Sequence, residues 1–395
     1  MKYNILIKYV NSIPSATKEN KVDISRILFL CEKLGRVNAG EGYIYTSGGM
    51  YAHGCGMILE SVLKSSGYPV ARITDAYGLD IKRSIYIDGV SPSINEFTNV
   101  LTYIRDILKK NKDVEFLREE VVFAICLYVS KISGVKYVIL ENTCEDVKAM
   151  FEICAPFNFA IIPRLYGSIE AHELDAVSAC IDKVKTGVVT GNNQHFNYFS
   201  DKCHRAGIKL FIHRSVEMLD EKMRQMTFRY NKRDYTLKSS SEVLRDAAIS
   251  SIELIDMMKN HGAKIPPSSI IEGVKNVGNC ACFEVISISP MIICDISSTR
   301  GQLELVFARA DQYCKNSGLV GMNVVFGDHE NQALINDVFS KNNTALLTDV
   351  SGRSMKDAAE TVLSENNGYK LTLILGSIEF TEMLKGAVKS KMDKF

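Results

Sequence analysis

The sequence predicts an α/β protein, with a large N-terminal domain on a mainly parallel sheet and a smaller α/β domain after it. Three observations predict this. Short apolar, β-branched runs alternate with segments of helical period along most of the chain. The alternation lapses and then restarts in the last third. The length of 395 residues, 46% of them hydrophobic, suffices for two cored domains. The 47 Lys and Arg against 46 Asp and Glu leave a formal charge of +1, which excludes a strongly basic nucleic-acid binder and an acidic tail protein. No stretch approaches the ~18 consecutive apolar residues of a membrane span, and residues 1–5 lack the pattern of a signal peptide. The expectation is a cytoplasmic protein with neither nucleic acid nor membrane as a partner. Its 11 cysteines, scattered singly apart from Cys280 and Cys282, read as buried reduced thiols.

The elements follow in order. Residues 44–46 form a strand that ends in the turn formers Ser47-Gly48-Gly49, and from Gly56 onward Met57, Leu59, Val62 and Leu63 share one helical face. Residues 114–131 have helical period, while 137–140, 159–162 and 209–212 are short apolar runs suited to buried strands. The β-then-α order implies right-handed crossovers and helices laid over a mainly parallel sheet. The turn-rich loop 275–279 is the candidate boundary. Beyond it, 283–287 and 291–295 are strands, possible partners in a hairpin around Ser289-Pro290. Residues 302–313 and 332–339 are helical, and 324–326, 345–347 and 371–375 are strands.

The segment Tyr45-Thr46-Ser47-Gly48-Gly49-Met50-Tyr51-Ala52-His53-Gly54-Cys55-Gly56 has the layout of a phosphate-binding loop: strand, glycine-rich turn, helix start. Glycines let backbone N–H groups turn toward phosphates, and a helix N-terminus adds partial positive charge. A working loop also needs a lysine on the β- and γ-phosphates and a Ser or Thr on Mg²⁺, and neither type stands between Met50 and Gly56. By themselves these residues fit a plain glycine turn feeding a helix at least as well.

Continued through Ser61-Val62-Leu63-Lys64-Ser65-Ser66-Gly67-Tyr68, the segment resembles the start of folylpolyglutamate synthases, within the wider Mur ligase group. That family carries a strand, a Gly-Thr-Asn-Gly-Lys-Gly-Ser loop and a helix ending in Gly-Tyr. Further similarity runs in order: Tyr9-Val10-Asn11-Ser12-Ile13-Pro14, then Ile85-Tyr86-Ile87-Asp88-Gly89, Val138-Ile139-Leu140-Glu141 and Gly187-Val188-Val189-Thr190-Gly191. It resumes at Ile265-Pro266-Pro267 and closes at Leu375-Gly376-Ser377. The resemblance implies a P-loop-like mainly parallel-sheet domain over 1–277 and a Rossmann-like ligase domain over 280–395. It also implies an ATP- and Mg²⁺-dependent amide ligase, which makes an acyl phosphate that the amino group of glutamate attacks.

Carried over residue by residue, the family's functional positions are only partly retained. Gly48, Gly49, Ala52, His53, Gly54 and Cys55 occupy the nucleotide loop, with Ala52 in the lysine position and Gly54 in the hydroxyl position. Glu141 keeps the carboxylate that binds Mg²⁺ in the family. The family's Asp-His pair is missing from 163–169, and His172 lies a few residues late. The carbamylated lysine falls on Lys183 if a gap is allowed. The His-Gln-x-x-Asn region reads Glu242-Val243-Leu244-Arg245-Asp246. The phosphate-contacting arginine becomes Cys282, and of the Asp-Gly-Ala-His-Asn-Pro motif Asp295 stays while the histidine is lost. Tyr77, Lys82 and Arg83 occupy the substrate loop, where the family's Thr-Ser-Pro-His-Leu reads Thr74-Asp75-Ala76-Tyr77-Gly78.

Glu141 and Asp295 end strands, where α/β ligand sites gather and where a carboxylate also commonly caps a helix. Cys280 and Cys282 with Cys294 have poor zinc spacing, and Cys203-His204 with His213 reads as a solvated helix end rather than a nucleophile and base. The expectation is a folylpolyglutamate-synthase-like protein that is catalytically degenerate and needs no cofactor. It would bind a small molecule in the interdomain cleft or a protein partner such as an intact ligase. The alternative is an active ligase that uses ATP and Mg²⁺ to add glutamate to a folate-like or other carboxylate. Lys82, Arg164 or Arg300 would then supply the missing cations.

Overall fold

The computed structural model describes residues 2–393 except 18, 40–41, 75–79, 143–147, 166–170, 192–193, 214, 278–280, 328–331, 341–344 and 365–368. The expected boundary segment at 278–280 therefore lies outside the described residues. Seven strands form the first sheet: β1 (Gly42–Ser47), β2 (Val70–Thr74), β3 (Ile85–Ile87), β4 (Tyr137–Asn142), β5 (Phe157–Ile161), β6 (Val184–Thr190) and β7 (Lys209–Ile212). Their order is β3-β2-β4-β1-β5-β6-β7, with every pair parallel except the edge pair β2–β3.

Alternation along β1 assigns the two faces. Tyr43 and Tyr45 enter one apolar cluster and Ile44 the other, as the period of two requires. The face of Tyr43 is covered by α1 (Lys2–Asn11), α2 (Ile24–Lys33), α4 (Ile94–Lys110), α5 (Arg118–Ile132) and α8 (Phe196–Ala206), with the short α6 (Lys148–Phe151) and α7 (Ala171–Ser178) between β4 and β6. The other face is covered by α3 (Met50–Ser65), α9 (Glu242–Asn260) and α10 (Pro267–Lys275). Helix α5 starts at Arg118 rather than near 114, because Glu120 turns back to accept the backbone N–H of Leu117 at 2.9 Å and closes the helix there.

A small antiparallel sheet of β8 (Glu217–Lys222), β9 (Gln225–Tyr230) and β10 (Arg233–Leu237) packs Met226, Phe228 and Tyr235 into the α3–α9 core. The last third restarts the α/β rhythm with β11 (Glu284–Ile288), β12 (Met291–Asp295), β13 (Gly321–Gly327), β14 (Ala345–Asp349) and β15 (Lys370–Gly376), ordered β11-β12-β15-β13-β14. The pair β11–β12 is the antiparallel hairpin around Ser289-Pro290, and the other pairs are parallel. Helices α11 (Arg300–Asn316) and α12 (Gln332–Ser340) cover one face, and α13 (Met355–Ser364) and α14 (Ile378–Met392) the other. The chain is thus a mixed α/β protein with a large, mainly parallel sheet and a second α/β unit. The apolar cluster beneath α13 and α14 is continuous with the one beneath α3 and α9.

Candidate functional site

The glycine-rich segment departs from the loop its sequence suggests. Helix α3 begins at Met50 with Gly49 as its cap, so Ala52, His53, Gly54 and Cys55 are helical and the turn contracts to Gly48-Gly49. Those two glycines carry φ of 107° and 59°, backbone that L side chains rarely adopt. Met50, Tyr51, Ala52 and Cys55 are buried, and this apolar stripe draws the helix a turn upstream. Gly54 and Gly56 read as breakers but serve close packing. A Cβ on Gly54 would sit 3.0 Å from Leu244 of α9, and one on Gly56 would sit 1.9 Å from Glu141 Oε1.

Protein packs closely around the turn and the first turn of α3. Tyr51 is fully buried and its hydroxyl lies 2.5 Å from Ser250 Oγ. Gln302 of α11 donates to the Gly48 carbonyl at 3.2 Å, and a Cβ on Gly49 would lie 2.8 Å from Ser298 Oγ. On the other side, a Cβ on Gly48 would meet Pro163 at 2.5 Å.

Behind α3 lies a buried ionic network. Glu141, fully buried near the carboxyl end of β4, accepts from Arg72 Nη1 at 3.0 and 3.2 Å and lies 3.1 Å from His53 Nδ1. Arg72 Nε donates to Glu60 Oε2 at 2.7 Å, and Glu60 Oε1 accepts the Gly89 N–H at 2.8 Å. The Arg72 guanidinium stacks over Tyr86, 4.2 Å from the ring centre. Burial would raise the Glu141 pKa, but the charge of Arg72 and the hydrogen bonds from His53 and Arg72 prevail and hold it below the ordinary carboxylate value. Since that carboxylate only accepts, His53 Nδ1 donates to it. The sequence reading missed Arg72 and Glu60. Their signal is a lone guanidinium in an apolar strand and a lone carboxylate on an apolar helix, which burial makes costly unless they are paired.

The Mg²⁺ that the resemblance implies at Glu141 does not fit this donor set. Both carboxylate oxygens face the Arg72 guanidinium, and a divalent cation at about 2.1 Å from them would meet its fixed positive charge. Among the described residues, no group of three His, Cys, Asp or Glu side chains could hold a metal ion.

The other sequence candidates are dispersed. Lys183 immediately precedes β6, at its amino end, and pairs with Glu152. Strand β6 stands three strand spacings from β4, about 14 Å at ~4.8 Å each, so Lys183 does not meet Glu141. Arg164 is bound to Asp246 at 2.6 Å and Arg300 to Asp337 at 2.6 Å. Tyr77 lies outside the described residues, while Arg83 pairs with Asp80 at 3.6 Å and the Lys82 carbonyl accepts from Ser91 Oγ at 3.4 Å. The backbone of His172 is in α7, and Cys280 lies outside the described residues. All nine described cysteines are buried and free, and burial pushes the Cys203 thiol up to about 11, away from nucleophilic use.

Asp295 is a strap between strands. Its carboxylate accepts the Phe283 N–H at 2.7 Å and the Ser297 N–H at 2.7 Å, fixing the turn that leads to α11. Burial raises its pKa from 3.8 to about 6 against those hydrogen bonds. A raised folded-state pKa contributes stability below the unfolded value and loses it as pH rises through the folded one. The unfolding free energy of wild type minus that of Asp295→Asn should therefore fall by about 2 kcal/mol from pH 4 to pH 7, read from urea titrations. A difference that is flat or rises with pH would contradict a buried, acid-stabilised Asp295.

Beside the network opens a cavity of about 500 Å³. His53 and Glu60 of α3, Arg72 of β2 and Tyr86 of β3 line it from one side, and Ile378, Glu379 and Glu382 of α14 from the other. It is thus a cleft between the first sheet's side of the molecule and the second α/β unit.

No family model matches this chain, and no curated protein matches it in sequence. Solved structures match it over its whole length. A folylpolyglutamate synthase complexed with AMPPCP and folate superposes with a TM-score of 0.80 at 16% identity, covering 98% of this chain and 100% of that one. The folylpolyglutamate synthetase from Lactobacillus casei gives 0.76 at 17% identity, covering 99% and 100%. The folylpolyglutamate synthase of Thermotoga maritima gives 0.73 at 16%, covering 98% and 97%. The chain therefore has the two-unit fold of folylpolyglutamate synthases. Among its described residues, no helix is long and apolar enough to cross a membrane.

Proposed function

We propose that this chain is a folylpolyglutamate-synthase-like protein of the Mur ligase group that no longer performs ATP-dependent ligation. It binds a small molecule in the cavity between its two α/β units and acts as a binding or regulatory protein, with an intact ligase as a suitable protein partner. The division into 1–277 and 280–395 is part of the same proposal. The carrying observation is the Arg72 and His53 pairing of Glu141, which sets protein nitrogen against the carboxylate that the resemblance assigns to the metal. The covered Gly48-Gly49 turn supports the same reading. Removing one preorganised donor from a developing charge costs about 3 kcal/mol, and the loop lysine, the arginine at Cys282 and the histidine near Ser298 are all replaced. Two of the three cations an active ligase could use as substitutes (Lys82, Arg164, Arg300) are already paired, Arg164 with Asp246 and Arg300 with Asp337.

Calorimetric titration with Mg-ATP tests this. A nucleotide site with a Kd of about 10 µM would stabilise the fold by about 2.7 kcal/mol at about 1 mM ligand. The expected result is no binding heat and no rise in Tm. Glutamate- and folate-dependent release of ADP would overturn the proposal, and Glu141→Gln should then abolish that release.

A further inference from the structure

The cavity has a sign. Arg72 is held between Glu60 at 2.7 Å and Glu141 at 3.0 Å, and Lys385 between Glu382 and Glu284, the latter at 3.0 Å. Each cluster spends one cation on two carboxylates, and Glu60 and Glu382 face the cavity. Among the described lining residues, five carboxylates (Glu60, Asp80, Asp88, Glu379, Glu382) stand against three cations (Lys64, Arg72, Arg83). Such walls repel a polyphosphate or polycarboxylate and concentrate a cation.

A second observation points the same way. His53 is 7% exposed, lines the cavity and gives its Nδ1–H to Glu141. Among the described residues its Nε2 has no hydrogen-bond partner, and in a neutral imidazole with Nδ1–H committed that atom is an acceptor. An acceptor in an acidic chamber asks for an N–H donor. Met57, Val277, Ala281 and Ile378 add apolar wall suited to methylene groups, and about 500 Å³ is the size of a small-molecule site.

We propose that this cavity binds a small organic amine, a primary ammonium or short polyamine, with its ammonium between His53 Nε2 and the acidic wall at Glu379. The proposal rests on reading the cavity as a ligand site and names the ligand class. Titration of the full chain with cadaverine and with spermidine, at about pH 8 and low salt, tests it, with sodium glutarate and NaCl as controls. Saturable binding of the amines without binding of glutarate is expected. Glu379→Gln should weaken it about fivefold, the effect of one partly exposed charge pair, and His53→Phe should weaken it further. No saturable amine binding, equal heats with glutarate or NaCl, or affinity unchanged in both variants would overturn it. Binding of Mg-ATP overturns the degenerate-ligase reading without touching the amine titration. Absent amine binding ends this proposal alone.

Discussion

Replacing Arg72 by Met is expected to cost about 3–5 kcal/mol of folding stability, the penalty for stranding a buried charge. The guanidinium is 4% exposed and serves both Glu60 and Glu141, so its removal leaves two buried carboxylates without their cation. The pH dependence should change sign as well. In the wild type the Glu141 pKa is depressed, so its contribution holds above the ordinary carboxylate value and is lost as pH falls through the folded one. Without Arg72, burial dominates and lifts that pKa, so the stability of the variant relative to the wild type should rise on mild acidification. Urea unfolding between about pH 5 and pH 8 reads both effects. The double variant Arg72→Met with Glu141→Gln should recover about 1–3 kcal/mol, since the stranded charge goes with it. A single variant as stable as the wild type would mean that the network is not ionic.

Ala52→Lys, which reinstates the ammonium of a nucleotide loop, should unfold the protein rather than restore ATP binding. Ala52 is fully buried and helical, and its carbonyl accepts from Thr46 Oγ1 at 3.2 Å. A lysine there adds three methylene carbons beyond Cβ and an ammonium to a packed site, at a cost of about 4 kcal/mol or more. The soluble yield should drop, and whatever folds should show no Mg-ATP-dependent rise in Tm. A stable variant that gains such a shift would show that the cradle is intact and lacks one side chain. That outcome would reopen the active-ligase reading.

Much of the architecture was legible residue by residue. The runs at 137–140 and 371–375 are buried strands, because a parallel strand covered on both faces must be apolar throughout. The hairpin around Ser289-Pro290 was announced by two apolar runs flanking a turn. The candidate site was less legible. Gly54 and Gly56 suggested a loop because glycine weakens helices in isolation, yet both lie inside α3, where α9 and Glu141 press against them. Lys183 was placed by similarity of order along the chain, which says nothing about the end of the sheet to which a residue belongs.

By itself the sequence determined the succession of strands and helices, the apolar faces that bury them, and which side chains are missing from the glycine-rich segment. Those are local properties, since period and residue type act over a few positions. The tertiary structure alone decided what stands in their place. Arg72 and Glu141 are 69 residues apart and meet because β2 lies beside β4 in the sheet. Gln302 reaches Gly48 across 254 residues because the second unit packs its α11 start onto the turn. Charge compensation depends on distance in space, and strand order and helix docking set that distance.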